Sequence, residues 1–318
     1  MSRPAIPRDM VMVVGGPTAS GKSALALALA EQLDGEIINA DSMQIYRGLP
    51  ILTAQPDAAA LARAPHRLYG ALDLMERCSA GRWRGLALAA IGEAQAAGRL
   101  PILVGGTGLY LRALMAGLAD IPDTPPDLRA RVASRLADIG APAFHAELAR
   151  RDPEMAARLQ PRDRQRLIRA AEVLEHTGRS LADWQRTPSP PPPLRFHAVH
   201  VDPPRAALYA ACDARFLAMM ERGALAEAEA IAARGLAPDL PGCKALGLRE
   251  LTAHLRGGLA LADAVRQAQG ATRRYAKRQT TWFSHQFVSD VHLSEQLSEN
   301  AIRNTIPLII KLCLTAQF

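Results

Sequence analysis

Residues 10–23 read Met-Val-Met-Val-Val-Gly-Gly-Pro-Thr-Ala-Ser-Gly-Lys-Ser. The apolar beginning is typical of a buried strand, and the Ala- and Leu-rich residues 23–33 predict a helix. Between these elements the chain matches the G-x-x-x-x-G-K-S/T pattern of a phosphate-binding loop, or P-loop. The residues of that loop are Gly16, Pro17, Thr18, Ala19, Ser20, Gly21, Lys22 and Ser23. A strand, loop and helix in this order predict an α/β fold.

The chemistry of the loop follows from its residue types. Glycines let the backbone N–H groups turn towards an oxyanion, and the start of the helix adds partial positive charge. Lys22 can neutralise terminal phosphate oxygens, and the Ser23 hydroxyl can hold Mg²⁺. The loop does not name its substrate, because most such loops bind ATP or GTP. An NTPase or a kinase is therefore the default hypothesis.

Two further strands are predicted, and each is followed by a polar side chain. Residues 36–39 lead to Asp41, and residues 100–104 lead through two glycines to Thr107. The carboxyl ends of parallel strands face the ligand crevice. There Asp41 can accept a proton and Thr107 can hydrogen-bond developing charge, although either residue can instead cap a helix. The later strand, residues 100–104, is followed by Gly-Gly-Thr and not by a carboxylate that could hold Mg²⁺. A motor-type ATPase is therefore disfavoured, whereas a small-molecule kinase stays open.

Proline-rich segments divide the chain. Residues 120–126 are rich in Pro and Asp, residues 129–184 have a helical, Arg-dense pattern, and residues 187–193 contain five prolines. Residues 195–201 alternate like a strand that returns to the sheet. We therefore predict a P-loop parallel-sheet core with helices on both faces and an inserted all-helical lobe. The core comprises residues 1–122 and 194–318, and the insertion comprises residues 123–193.

Composition indicates a soluble, basic protein. The 318 residues carry a formal charge of +7, which suits a nucleic-acid partner but also reflects heavy Arg usage, since only four of the 38 basic residues are Lys. The four cysteines have neither metal-ligand spacing nor a disulfide pattern. The N-terminus has no apolar signal stretch, and residues 306–314 are too short to cross a bilayer. We expect a cytoplasmic protein without a membrane partner.

Seven stretches together resemble the tRNA dimethylallyltransferase (tRNA isopentenyltransferase) family. They run in order from about residue 10 to residue 285 and leave out only about the last thirty residues. The stretches are residues 16–23, 41–46, 64–68, 104–110, 165–170, 244–249 and 275–279, the last followed by Trp282.

The resemblance implies a substrate and a role for each matching residue. Dimethylallyl diphosphate would occupy the P-loop with Mg²⁺, and the acceptor would be the N6 amine of the adenosine 3′-adjacent to the anticodon of a tRNA. Asp41 matches the general base, Thr107 a residue near the reacting centre, and Lys22 the P-loop cation; a monomer is implied. The tRNA-contacting segments match Asp41, Ser42, Met43, Gln44, Thr107, Arg129, Gln165, Arg166, Leu167, Ile168, Arg169, Lys244, Ala245, Leu246, Gly247, Leu248 and Arg249.

The chain departs from the family pattern at three positions. Leu52 replaces a glycine, Gln55 replaces a basic residue, and Leu248 replaces a tyrosine. These changes leave the expected fold intact and affect only contacts made by those side chains. Two other functions stay open at this point: a P-loop kinase acting on a nucleoside or small acid, and a non-catalytic RNA-binding protein that uses its Arg clusters.

Overall fold

Six parallel strands form one sheet in the first of two compact units. The computed structural model describes residues 7–315, with side chains up to residue 312. The first unit comprises Met1–Met115 with Pro193–Phe318. Its strands are β1 (Met10–Gly15), β2 (Gly35–Asn39), β3 (His66–Arg67), β4 (Leu100–Gly105), β5 (Arg195–Val201) and β6 (Val291–Leu293), in the spatial order β3-β2-β4-β1-β5-β6. The predicted α/β class with a parallel sheet is confirmed.

The chain returns to this sheet through β5. Strand β5 pairs in parallel with β1, from Met10 opposite Arg195 to Gly15 opposite His200. An ion pair between Arg195 and Asp9, with a distance of 2.7 Å, joins the beginnings of the two strands. The sheet is thus completed by residues that lie some 180 positions apart in the chain, because the second unit is inserted between them.

Helices cover both faces of the sheet. Alternation along β1 sends Val11 and Val13 into one apolar cluster and Met12 and Val14 into the other. Both clusters are fully shielded from solvent at β1, which is why the strand is apolar at every position. The helices of this unit are α1 (Lys22–Leu33), α2 (Ala58–Arg63), α3 (Ala80–Ala96), α4 (Gly108–Met115), α10 (Arg205–Glu221), α11 (Ala224–Ala233), α12 (Leu248–Leu255), α13 (Leu261–Gln286) and α14 (Glu299–Thr315), with a 3₁₀ helix at Pro241–Lys244.

The second unit, Ala116–Pro192, is built from helices and has its own apolar core. This unit begins at Ala116, whereas the sequence predicts an insertion that begins at Asp123. Residues 116–122 therefore belong to the helical unit and not to the core. The helices are α5 (Pro126–Ile139), α6 (Ala141–Arg151), α7 (Pro153–Ala157), α8 (Arg164–Thr177) and α9 (Leu181–Arg186). Leu136 and Leu167 are fully buried in its centre.

The C-terminal helix packs on the α1 side of the first unit. Ile302 and Ile309 of α14 belong to the same buried cluster as Leu25 and Leu29 of α1. The polar segment before Pro7 lies outside the described residues. Within residues 7–315, no helix combines the length and the continuous apolar character that crossing a bilayer requires.

Candidate active site at the carboxyl ends of the strands

The P-loop is tightly curled after β1. Ala19 and Gly21 have φ angles of 64° and 91°, so left-handed residues reorient the backbone twice within three positions. Close packing leaves no space for a side chain at Gly16, where a Cβ atom would lie 2.4 Å from the carbonyl oxygen of Val201. The loop is therefore held between β5 and the start of α1 in the shape that anion-binding amides need.

Lys22, the first residue of α1, folds back over the loop. Its Nζ atom donates a hydrogen bond to the carbonyl oxygen of Pro17 at 3.1 Å. Burial lowers the pKa of Lys22 to about 8, and the charge of Asp41 opposes that shift. Ser23 is exposed on the next position of the same turn. The Ser20 hydroxyl is buried and has no hydrogen-bond partner within residues 7–315.

Asp41 lies in a short turn after β2. Its backbone N–H donates to Oδ1 of Asn39 at 2.8 Å, and its own Oδ1 accepts from the N–H of Met43 at 2.8 Å. One carboxylate oxygen therefore stabilises the turn, as the capping interpretation expects, although no regular helix follows. The second oxygen accepts no hydrogen bond from the part of the chain that the structure describes, which leaves it available to a substrate proton.

Thr107 joins the turn after β2 to the loop after β4. Its Oγ1 accepts from the N–H of Ser42 at 2.9 Å and lies 3.2 Å from the Ser42 hydroxyl oxygen. The Thr107 side chain thus reaches across to the neighbouring strand end and does not cap α4. Burial raises the pKa of the Tyr275 phenol, and the nearby Asp41 charge raises it further, while a hydrogen bond with Thr107 lowers it. Tyr275 therefore stays protonated beside this pair.

A further residue contacts the loop that sequence patterns did not single out. Arg215, from α10, donates from Nη2 to the Thr18 hydroxyl at 2.5 Å. Burial lowers the pKa of its guanidinium, and the charges of Cys212 and Asp41 oppose that shift. No local motif marks Arg215 among the many arginines of the chain, so only its position in the fold identifies it.

Gln279, from α13, joins the P-loop to the loop after β4. Its Oε1 accepts from the Thr18 N–H at 2.8 Å, and its Nε2 donates to the Gly106 carbonyl oxygen at 2.9 Å. Gln279 lies in the stretch 275–279, the last of those that carry the family resemblance. That resemblance is the sequence feature that points to Gln279. The site therefore combines two cations, Lys22 and Arg215, with one carboxylate, Asp41.

Comparison with known proteins identifies this arrangement. The sequence profile described as IPP transferase matches residues 44–286. The chain belongs to the IPP transferase family. A relative named tRNA dimethylallyltransferase, from Rhodospirillum centenum, is 58% identical over 281 residues, which is 88% of this chain and 90% of the relative.

Solved structures of IPP transferases have the same fold. The tRNA isopentenylpyrophosphate transferase from Bacillus halodurans is 32% identical, with a TM-score of 0.67, and the match covers 96% of this chain and 97% of that chain. A eukaryotic dimethylallyltransferase acting on tRNA is 26% identical, with a TM-score of 0.80, over 94% of this chain and 78% of the other.

The residues that match tRNA-contacting segments of the IPP transferase family differ in how exposed they are. Exposed side chains can reach a ligand, and they include Gln165, Arg166, Lys244 and Arg249. Apolar side chains at other positions pack inside their own unit, so a tRNA contact there is limited to the backbone; these residues are Leu167, Ala245 and Leu248. Partly exposed positions are Ser42, Met43, Gln44, Arg129, Ile168, Arg169 and Leu246, and Gly247 is buried.

Arg129 and Arg169 form a charged cluster within the helical unit. Both guanidinium groups lie 3.6 Å from the carboxylate of Glu172, which is buried. Arg169 also donates to the Thr124 hydroxyl at 3.0 Å. Arg166, by contrast, is highly exposed, and its one ion-pair partner among the described residues is Asp163, at 3.3 Å. Arg166 is therefore free to meet a phosphate, whereas Arg169 also stabilises its own unit.

The departures from the IPP transferase pattern are accommodated locally. Gln55 donates to the Tyr46 carbonyl oxygen at 2.7 Å, so a neutral internal hydrogen bond stands where the family has a positive charge. Leu52 is buried, and its N–H donates to Glu227 at 2.7 Å. The Gln44 side chain donates hydrogen bonds to the carbonyl oxygens of Thr53 and Ala54. The polar groups of this segment are therefore paired within the protein.

Proposed function

We propose that the chain transfers the dimethylallyl group of dimethylallyl diphosphate to the exocyclic N6 amine of the adenosine 3′-adjacent to the anticodon in tRNA, with release of diphosphate. The observation that carries this proposal is that the P-loop and the Asp41 carboxylate lie together at the carboxyl ends of the parallel strands. The second oxygen of that carboxylate is available to a substrate. Membership of the IPP transferase family and the similarity to tRNA dimethylallyltransferases favour it over a kinase.

The diphosphate end supplies the leaving group. As the allylic C–O bond breaks, negative charge grows on the diphosphate while positive charge spreads over the allyl carbons. Lys22, Arg215 and the N–H groups of the P-loop are positioned to stabilise that negative charge before the reaction begins. The Lys22 bond to the Pro17 carbonyl is then exchanged for bonds to phosphate oxygens.

The acceptor end needs a base, because the lone pair of an adenine amine is delocalised into the ring. The second oxygen of Asp41 accepts the amine proton as the new C–N bond forms, which is typically a gain of about 10²–10⁴-fold. Thr107 holds the turn that carries Asp41 through its bond with the Ser42 N–H. Thr107 is thereby a positioning residue as well as a candidate substrate contact.

A single hydroxyl of the P-loop supports the proposal that Mg²⁺ binds with the diphosphate. The Ser23 hydroxyl is an oxygen donor of the kind that Mg²⁺ prefers, and it is exposed on the first turn of α1, next to Lys22 of the P-loop. When bound, Mg²⁺ supplies further stabilisation of diphosphate charge. Ser23 is the residue that would hold it, together with oxygens of the substrate.

The acceptor base must leave its stack in the anticodon loop to reach Asp41. Extrusion of a stacked base costs a few kcal/mol. Contacts of arginines with phosphates offset that cost, and the exposed Arg166 is the residue of the helical unit best suited to such a contact.

We further expect the protein to act as a cytoplasmic monomer. Size-exclusion chromatography with light scattering would test the oligomeric state.

The decisive experiment incubates the protein with labelled dimethylallyl diphosphate and unmodified tRNA. Label should appear in tRNA, should require the adenosine next to the anticodon, and should be lost in Lys22→Ala together with diphosphate affinity. The matched control is Lys311→Ala, which removes an exposed lysine from α14, outside the stretches that carry the family resemblance. Phosphoryl transfer from ATP to a small acceptor in the absence of tRNA, with no label in tRNA, would instead establish the kinase.

A further inference from the structure

A cluster of metal-type ligands lies at the carboxyl ends of β5 and β6, outside the P-loop chemistry described above. His200, Asp202 and His292 each offer one ligand atom, and these three atoms lie within 4.8 Å of one another. His200 and His292 are register partners on the paired strands, so their side chains lie on the same face of the sheet. Nε2 of His292 is already 3.3 Å from Oδ2 of Asp202.

The buried member of this cluster, His200, has one ring nitrogen without a hydrogen-bond partner in the described part of the chain. His200 is only 5% exposed, and its Nε2 makes no hydrogen bond within residues 7–315. A buried polar atom without a partner usually costs about 1–3 kcal/mol. Its surroundings are the rings of Phe283 at 5.3 Å and His292 at 4.9 Å, measured between ring centroids. Neither ring provides a conventional hydrogen-bond partner in this stack.

We propose that His200, Asp202 and His292 bind a borderline divalent cation of the Zn²⁺ class. Two imidazoles and one carboxylate are a donor set that zinc accepts, with water in the fourth position. Ligands in a tetrahedral zinc site lie about 3–4 Å apart, so the three ligand atoms, which lie within 4.8 Å of one another, need to approach by no more than about 1–2 Å to bind one ion. His292 is exposed, which gives the ion and its water a path to solvent.

The site has a structural consequence for the P-loop. β6 is only three residues long, and the chain after it rests directly on the loop. Gln296 donates to the Ala19 carbonyl oxygen at 3.0 Å, and a Cβ atom at Gly21 would lie 2.8 Å from Cβ of Leu297. An ion that joins β5 to β6 therefore fixes residues 291–297 against the phosphate site. This role is independent of Mg²⁺, which prefers oxygen donors.

The test is a Zn²⁺ titration of the tag-free, full-length protein after removal of metals with a chelator. Isothermal titration calorimetry is run in excess Mg²⁺, so that the P-loop is not the site observed. We expect one Zn²⁺ per chain, a higher melting temperature with Zn²⁺, and slower hydrogen exchange in residues 291–297. His292→Phe keeps an aromatic ring in the stack, and Asp202→Asn keeps the shape of the side chain. Each variant should weaken Zn²⁺ binding by about 10-fold or more.

Two controls keep the interpretation specific. His285→Phe removes an exposed imidazole from α13 and should leave Zn²⁺ affinity unchanged. Co²⁺ bound at the proposed site should give visible bands without intense thiolate charge transfer, which separates this site from one at Cys78 or Cys243. Circular dichroism of the metal-free variants verifies folding. Wild-type affinity in both ligand variants, a thiolate band, or no stoichiometric binding would overturn the proposal and leave an aromatic stack only.

Discussion

The bridge made by Gln279 provides a stringent test of how the site is held together. Gln279 is 5% exposed and satisfies two backbone groups, the Thr18 N–H at 2.8 Å and the Gly106 carbonyl oxygen at 2.9 Å. Gln279→Leu retains most of the side-chain volume but removes both hydrogen bonds. Thr18 and Gly106 are themselves buried, so water has little access to the groups left behind.

The expected loss of stability follows from those two groups. Each buried backbone group without a partner costs about 1–3 kcal/mol, so Gln279→Leu should lower the free energy of unfolding by about 2–6 kcal/mol. Gln279→Glu keeps an acceptor for the Thr18 N–H but sets a buried carboxylate oxygen against the Gly106 carbonyl oxygen, so its stability loss includes that repulsion as well as the lost second contact, while the first contact is retained. The affinity for diphosphate should fall in both variants, because the loop must be ordered again on binding.

The assay is urea denaturation followed by circular dichroism, combined with hydrogen exchange at the Thr18 amide. Gln267→Leu, an exposed position on the same helix, is the matched control and should change stability by no more than about 0.5 kcal/mol. Exchange at Thr18 should accelerate in Gln279→Leu and stay near the wild-type rate in Gln279→Glu. If Gln279→Leu matched the control in both measurements, the bridge would contribute nothing to the site.

Four further outcomes are expected. Asp41→Asn should reduce transfer by about 10²–10⁴-fold with diphosphate affinity kept, since the amide oxygen can still accept from the turn; near-normal single-turnover rates would make Asp41 a turn residue only. Because the pKa of Lys22 is lowered to about 8 and bound diphosphate raises it, binding just above pH 8 should take up a proton, seen by calorimetry in buffers of different ionisation enthalpy and absent in Lys22→Arg. Arg166→Ala should flatten the slope of log tRNA affinity against log salt by about 0.7–0.9, and an unchanged slope would exclude a phosphate contact there. Arg169→Ala should lower the melting temperature, because Glu172 is buried and loses one of its two cations; a melting curve equal to that of Arg166→Ala would contradict this.

The departures from the family pattern show which features a sequence comparison predicts and which it does not. Gln55 is visible as a lost positive charge, but its bond to the Tyr46 carbonyl is visible only in the structure. In the same way the spacing of Arg166 and Arg169 predicts two arginines near one face of a helix. Only the packing of α5 beside α8 shows that Arg169 shares the buried Glu172 with Arg129 while Arg166 remains exposed.

The sequence alone determined β1, the P-loop and α1, as well as the return of β5 to the sheet, because these features depend on local periodicity and on residue types at fixed spacing. It did not reveal β3, whose two residues are too few to show a period. The tertiary structure alone decided which distant side chains complete the site. Arg215 and Gln279 lie 197 and 261 positions from Thr18, and they reach it only because α10 and α13 pack beside the P-loop. Contacts of that kind leave no local pattern, since they depend on how whole elements pack and not on the residues that flank them.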